Sequence, residues 1–375
     1  MCVFVIWKIE KETVAVVVAI DGGGGLTVRG RTKLEIKMVG VARVDNGSGV
    51  EVVDDTGSVN PILSGSSGCS IRSQVGRMGT NLRCALVTGG NKGIGFETCR
   101  QLASNGIKVI LTDRDESFGA KIVQQLNVSG YLDVVFHQLD ITDPTSITRA
   151  VDFVKSHFQK LDILVNNAGH MGITIVNEEK FRAGDGFVQV SDEKAHLLND
   201  ILRQSYELAE ECIKTNYYGT KAVTKAFLPL LQLSNSPRIV NITSFYGELL
   251  FIHNDNLRNE LRDMKNVTEE RIDEITRWFL KDLKADKLKE NGWPLTVSAY
   301  KVSKAAINAY TRLMAEEYPN MLINCVHPGY VITDMSAQTG FITPEEGAKA
   351  PVMVALLPND GQSGKYFSQL QITPF

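Results

Sequence analysis

The chain has no apolar stretch near the roughly 20 residues that a bilayer-spanning helix needs; the longest near its start, Val14 to Ile20, is far shorter. It also lacks an excess of charge of either sign. With 40 Lys and Arg against 43 Asp and Glu, the net charge of −3 gives no electrostatic case for nucleic acid or an anionic membrane surface. A secretory leader is a poor reading, because Glu10, Glu12 and Asp21 sit where a basic segment and a small-residue cleavage site are expected. Cysteine is sparse as well. Cys2, Cys69, Cys84, Cys99, Cys212 and Cys325 show neither paired nor metal-type spacing. That excludes a disulfide framework, leaves no metal site to propose, and predicts reduced, mostly buried thiols in a reducing, cytoplasmic compartment. The sequons at Asn127, Asn241 and Asn266 read as chance matches in an unglycosylated protein, since Asn241 falls within an apparent buried strand.

What is present is enough for a sizeable core: 375 residues with 43% hydrophobic side chains fill one large domain or two modest ones. The composition shifts near residue 80. Residues 1–80 read as short alternating strands, with Leu34, Ile36 and Met38 on one face of Lys33–Val41, broken by the tracts "DGGGG" and "SGSSGCS". This region carries no chemical motif and is expected to be a β-rich extension, a disordered arm or sequence outside the functional domain. "GGGGLTVRG" is expected to be a flexible turn, as no helical pattern follows it.

Residues 81–375 alternate short apolar strands with helical periodicity. The strands expected are Arg83–Thr88, Lys108–Thr112, Val134–Leu139, Ile163–Val165, Arg238–Thr243 and Leu322–His327. Nearly continuous Val, Ile and Leu runs suit a parallel sheet buried on both faces. The alternation argues for an α/β fold with a doubly wound parallel sheet of Rossmann type. The stretch "LVTGGNKGIGFETCRQL" follows the first strand and opens a helix from Ile94 to Leu102. In that context Gly89 permits the sharp exit from the strand, Gly93 clears space for a pyrophosphate, and Gly95 allows close helix–strand packing. The helix N-terminus adds free N–H groups and a positive dipole end.

"SAYKVSK" places Tyr300 and Lys304 one helical turn apart on a shared face. A free tyrosine, with pKa near 10, exchanges protons poorly at neutral pH; an adjacent ammonium favours the phenolate and lowers that barrier. The spacing predicts Tyr300 as the proton donor and acceptor. His170 either lines a substrate pocket or makes a structural hydrogen bond, and His327 is expected to be structural.

The spacing "TGGNKGIG", followed in order by "LD" at Leu139–Asp140, "NNAG" at Asn166–Gly169, "YKVSK" and "PGYVIT" at Pro328–Thr333, resembles the short-chain dehydrogenase/reductase family. The resemblance covers residues 82 to 375. It implies a cofactor site built from the loop residues Gly89, Asn91, Lys92, Gly93, Ile94 and Gly95, with Asp113 and Arg114 after the second strand. Asp140 and Ile141 would meet adenine, Asn167, Ala168 and Gly169 would follow the fourth strand, and Pro328, Gly329 and Thr333 would hold the nicotinamide side. Tyr300 and Lys304 complete both the cofactor site and the catalytic group, joined by Ser244 to hold the substrate carbonyl and Asn216 to anchor a proton relay; Thr243 is the weaker candidate for the serine's role.

Asp113 stands where an acidic residue pairs with ribose hydroxyls and repels a 2′-phosphate, whereas Lys92 and Arg114 suit NADP. NADPH is the expected cofactor, with NAD left open by Asp113. Residues 245–299 form a much longer span between Ser244 and Tyr300 than most family members have. This insert, about 247–297, is expected to be helical, capped at Asn266 with Glu269 three residues on and carrying Ile272, Ile275, Phe279 and Leu283 at helical spacing. With "EECIKTNYYGTKAV", "INCVHPGYVITDM" and "TPEEGAKAPVMVALLP" it is similar to plant carbonyl reductases of the salutaridine reductase and menthone/neomenthol reductase type. That subgroup implies a monomer reducing a small apolar ketone or aldehyde, of terpenoid or alkaloid type, with no nucleic-acid or membrane partner. An NAD-linked alcohol dehydrogenase and a non-catalytic dinucleotide-binding scaffold are the alternatives.

Overall fold

A computed structural model describes residues 83–198 and 200–375 and, before them, only the backbone of five strands between residues 2 and 61. By its internal contacts the chain divides into compact units Met1–Met78 and Gly79–Phe375. In the first, strands Cys2–Ile9, Glu12–Ala19, Lys37–Val44, Val50–Val53 and Val59–Pro61 form an antiparallel sheet. The strand expected at Lys33–Val41 instead runs Lys37–Val44. Leu34, Ile36 and the glycine tracts lie outside the described residues.

The second unit is built on an eight-stranded sheet: β1 (Cys84–Thr88), β2 (Lys108–Asp113), β3 (Val134–Gln138), β4 (Ile163–Asn166), β5 (Arg238–Ile242), β6 (Leu322–His327), β7 (Tyr366–Ser368) and β8 (Gln371–Thr373). The order is β3-β2-β1-β4-β5-β6-β7-β8, and only β8 is antiparallel. Strand order reverses between β1 and β4, the switch point where such sheets open a crevice.

Alternate side chains of β1 feed two cores. Ala85 and Val87 pack with α1 (Gly93–Ser104), α2 (Glu116–Val128) and a late helix, Pro344–Ala355, on one face. Leu86 packs on the other with α3 (Pro144–Phe158), with α4, continuous over Tyr206–Ile213, Lys214–Gly219 and Thr220–Leu231, and with the helix Ser298–Glu317. Both faces are dry, which is why the strand sequences are apolar without alternation. The doubly wound fold expected from the sequence is therefore the one observed.

The insert supplies α5 (Asp255–Asp263) and α6 (Glu269–Lys284); Ser298–Glu317 is then α7 and Pro344–Ala355 is α8. The cap of α6 is Thr268, whose hydroxyl accepts from Arg271 N at 3.2 Å, and not Asn266 as the sequence suggested. Val267 between Asn266 and Thr268 is buried, and the helix is capped two residues later than expected. Ile272, Ile275 and Phe279 are buried as expected from their spacing. The polar side of α6 binds α4: Asp273 accepts from Tyr217 Oη at 2.8 Å and pairs with Lys221. Cys84, Cys99, Cys212 and Cys325 are buried free thiols. No helix among the described residues is long and apolar enough to cross a membrane.

Candidate active site

A cleft of about 2060 Å³ opens over the C-terminal ends of the parallel strands. Every cofactor-site residue named above lines it, as do Ser244, Tyr300 and Lys304; Asn216 does not.

The glycine loop shows why its residues are small. Gly89 and Gly93 have φ of +63° and +54°, a region that side chains disfavour. A Cβ on Gly95 would lie 2.2 Å from Gly89 O and 2.4 Å from Asn167 Nδ2. Asn167 Nδ2 donates to Thr88 O and Gly89 O, both at 2.9 Å, and Thr88 Oγ1 accepts from the N–H groups of Asn167 and Ala168. The loops after β1 and β4 are thus tied together. The first turn of α1 has neither an acidic residue nor a side-chain cap, which leaves its N–H groups for an anion.

The remaining cofactor-site residues surround this cradle. Lys92 Nζ pairs with Asp334 at 2.7 Å across the cleft mouth, with both side chains well exposed. Thr333 Cγ2 lies 3.2 Å from where a Gly93 Cβ would stand. Asp113 accepts from Asp115 N at 3.0 Å, and burial raises its carboxyl pKa. Asp140 accepts from Thr142 N and Oγ1 at 2.8 and 2.7 Å. Thr243 Oγ1 is buried in the cleft wall with no protein partner. A cradle that a Cβ would fill, an uncapped helix start and an orphaned hydroxyl all fit a nicotinamide dinucleotide. Its 2′-phosphate end remains the point that Asp113, Arg114 and Lys92 contest.

Tyr300 sits in the first turn of α7, with Lys304 one turn further; both are buried, and Lys304 Nζ lies 5.4 Å from the Tyr300 ring centroid. Lys304 donates to Ile242 O at 2.8 Å. Burial pushes the Tyr300 phenol well up, with a hydrogen bond to Ser244 pulling the other way. Burial also lowers Lys304 to about 8. The expected drop in the phenol's pKa is therefore not seen: burial is the largest cause for both groups, and each is driven toward its neutral form. Burial thus favours the protonated form of Tyr300.

Ser244 Oγ accepts from Tyr246 N at 3.2 Å, which fixes the hydroxyl at the end of β5. Asn216 lies in a π-helical turn inside α4. Its Oδ1 accepts from His170 N at 2.6 Å, and its Nδ2 donates to His170 O and Ser303 Oγ at 2.9 Å. Asn216 therefore braces the loop after β4 against α7. His170 lines the cleft, and its Nδ1 accepts from Gly172 N at 3.2 Å. His327 also lines it, held neutral by burial with its pKa lowered to about 4.

Sequence reasoning missed an aromatic part of the cleft lining, to which Phe187, Tyr246, Phe251, Tyr330 and Phe341 contribute. Two of them, Tyr246 and Tyr330, stand within two residues of motif positions, which is the signal that could have found them. Phe187 carries none.

The short chain dehydrogenase family profile matches residues 83–255 and 290–340. Salutaridine reductase of Papaver bracteatum is 47% identical over 303 residues, spanning 79% of this chain and 97% of the relative. The (+)-neomenthol dehydrogenase of Arabidopsis thaliana is 49% identical over 298 residues, 78% of this chain and 98% of the relative. The solved structure of salutaridine reductase from Papaver somniferum superposes with a TM-score of 0.70 at 48% identity, covering 76% of this chain and 99% of that one. With this fold, this cradle and these relatives, the chain belongs to the short-chain dehydrogenase/reductase family, oxidoreductases acting on CH–OH and carbonyl groups.

Proposed function

We propose that this chain is an NADPH-dependent carbonyl reductase acting on a small, largely apolar ketone or aldehyde of terpenoid or alkaloid type. The bound nicotinamide supplies or accepts the hydride. Tyr300 gives its phenolic proton to the carbonyl oxygen as the alcohol forms, and Ser244 orients that oxygen by hydrogen bonding. Lys304 holds the ribose beside Tyr300, and its ammonium stabilises the phenolate left when the phenol gives up its proton. Asn216 positions the β4 loop and α7 for the proton relay. Phosphate binding falls to the glycine loop and the start of α1, with Lys92 and Arg114 available to the 2′-phosphate.

The observation that carries this reading is Tyr300, a buried phenol with Lys304 Nζ 5.4 Å from its ring centroid, lining the same cleft as Ser244 and the glycine loop. NADPH and NADH oxidation followed across a panel of terpenoid, alkaloid and simple ketones tests it. Turnover with NADPH is expected; no turnover with any ketone refutes the function, and kcat/KM with NADH equal to that with NADPH refutes the cofactor. Asp113 favours NAD as the second reading.

The insert helix α6 covers α4 and α7 within one chain, with Asp273 bound to Lys221 and Tyr217, and Phe279 and Trp293 buried. This supports a monomer, and the buried free thiols Cys84, Cys99, Cys212 and Cys325 support a reducing, cytoplasmic setting. Light scattering at micromolar concentration should give the mass of one chain, and a stable dimer or tetramer refutes it.

A further inference from the structure

We propose that the hydroxyl of Tyr330, not only its ring, sets which ketones the cleft selects, by fastening Phe187 as a fixed wall opposite the reacting end. The inference rests on the carbonyl-reductase reading for its substrate part only. Phe187 lies in a short 3-10 turn, Gly186–Gln189, and is buried. Its N–H donates to Tyr330 Oη at 3.0 Å, and its carbonyl accepts from Tyr246 Oη at 2.9 Å. Both polar groups of one backbone unit are thus held by tyrosines from two other segments.

Counting protons fixes the directions. Thr339 Oγ1 donates its single proton to Ser336 O at 2.6 Å. Tyr330 Oη also bonds Thr339 Oγ1, so in that bond Tyr330 is the donor. The Tyr330 proton goes to Thr339, the Tyr246 proton goes to Phe187, and neither is free for a ligand. The turn docks so closely that a Cβ on Gly186 would stand 2.1 Å from Thr339 Oγ1 and 2.5 Å from Tyr330 Oη.

The rings then form an unbroken edge-to-face series. Tyr330 to Phe187 is 6.3 Å between centroids at 74°, Phe187 to Tyr246 is 6.4 Å at 80°, and Tyr246 to Tyr300 is 6.5 Å at 88°. From Tyr330 to Tyr246 this wall offers the cleft no free hydroxyl proton, because those of Tyr330 and Tyr246 are spent on Thr339 and the Phe187 carbonyl. A ketone long enough to reach Phe187 meets a surface already ordered, so it loses little freedom to the wall on binding. A ketone too short to reach it gains nothing.

Tyr330→Phe removes one oxygen and keeps the ring. In the full chain without cofactor, hydrogen–deuterium exchange of the peptide containing the Phe187 amide should speed up about tenfold, the factor that corresponds to one ordinary hydrogen bond. In turnover with NADPH, the kcat/KM preference for bulky over small ketones should fall by about the same factor, carried by KM rather than kcat. Tyr246→Phe, which leaves the Phe187 carbonyl bonded only to Val190 N within its own turn, should shift the preference in the same direction. Unchanged exchange in Tyr330→Phe overturns the tether, and an equal loss for bulky and small ketones overturns the selectivity. A wild-type protein inert toward every ketone refutes the proposed function and the selectivity with it, while the exchange result still decides the tether.

Discussion

Gly95→Ala places a single methyl where the cradle has no room for it, and the effect follows from the geometry. The new Cβ would stand 2.2 Å from Gly89 O and 2.4 Å from Asn167 Nδ2. Contacts that close do not occur, so the loop must retreat by about 1 Å, and such overpacking costs about 1–3 kcal/mol. Because Asn167 Nδ2 also donates to Thr88 O and Gly89 O, displacing it weakens two hydrogen bonds of about 1 kcal/mol each. If about 2 kcal/mol of this total falls on the cofactor-bound state, NADPH affinity drops roughly 30-fold, at 1.4 kcal/mol per decade. Fluorescence titration of NADPH into the full-length variant measures the loss, and a thermal melt separates it from unfolding. Gly90→Ala supplies the contrast, since its Cβ would meet the side chains of Leu111 at 2.8 Å and Cys99 at 3.1 Å on the core side. That variant should melt earlier with far less change in affinity. A Gly95→Ala protein that binds NADPH within threefold of wild type would refute the steric argument.

Tyr300→Phe should lower kcat at least 100-fold, the usual scale of acid–base help, while titration finds NADPH affinity nearly intact. Asp113→Ala should raise the ratio of kcat/KM for NADPH over NADH by about tenfold, because a half-buried carboxylate no longer repels the 2′-phosphate; an unchanged ratio removes Asp113 from that end of the site. Asp192→Asn should strand the buried Lys301 ammonium now 3.0 Å from that carboxylate. Losing one partner of such a pair costs about 3–5 kcal/mol, read as a lower urea midpoint, with Lys301→Met partly restoring it in the double variant. His327 stays neutral to about pH 4 in the fold, whereas the unfolded chain takes up that proton near pH 6.5. Stability is therefore full above pH 6.5 and is lost as pH falls toward 4, by about 3 kcal/mol from this group. Urea melts of His327→Gln should show a shallower loss over that window.

The fold was legible because its central strands are dry on both faces. Cys84–Thr88 and Arg238–Ile242 are buried at every position, and the sequence marks this with apolar runs instead of alternation. The start of α6 was misread because Asn266 and Thr268 are both capping types. The choice between them was made by the burial of Val267, a tertiary fact. The glycine loop and the Tyr300–Lys304 pair stood out because their geometry is local, a turn into a helix and one helical turn. The Phe187 wall did not, since its two tethers come from positions 59 and 143 residues away. Asp192 was missed for the same reason: its partners Thr296 and Lys301 lie more than a hundred residues on.

Local spacing also misled in one respect, and the correction bears on the direction of the chemistry. The separation of Tyr300 from Lys304 argued for a phenol made acidic by an ammonium. Placing both inside the fold adds a desolvation penalty to each charged form, and that penalty dominates: the phenol rises and the amine falls to about 8. A protonated Tyr300 can deliver a proton to a carbonyl oxygen without prior ionisation. Oxidation of the alcohol asks for the opposite, a phenolate before the hydride leaves, in a site that disfavours one. Burial therefore favours Tyr300 as a proton donor, and if it acts on the carbonyl oxygen, alcohol oxidation should gain on reduction as pH rises.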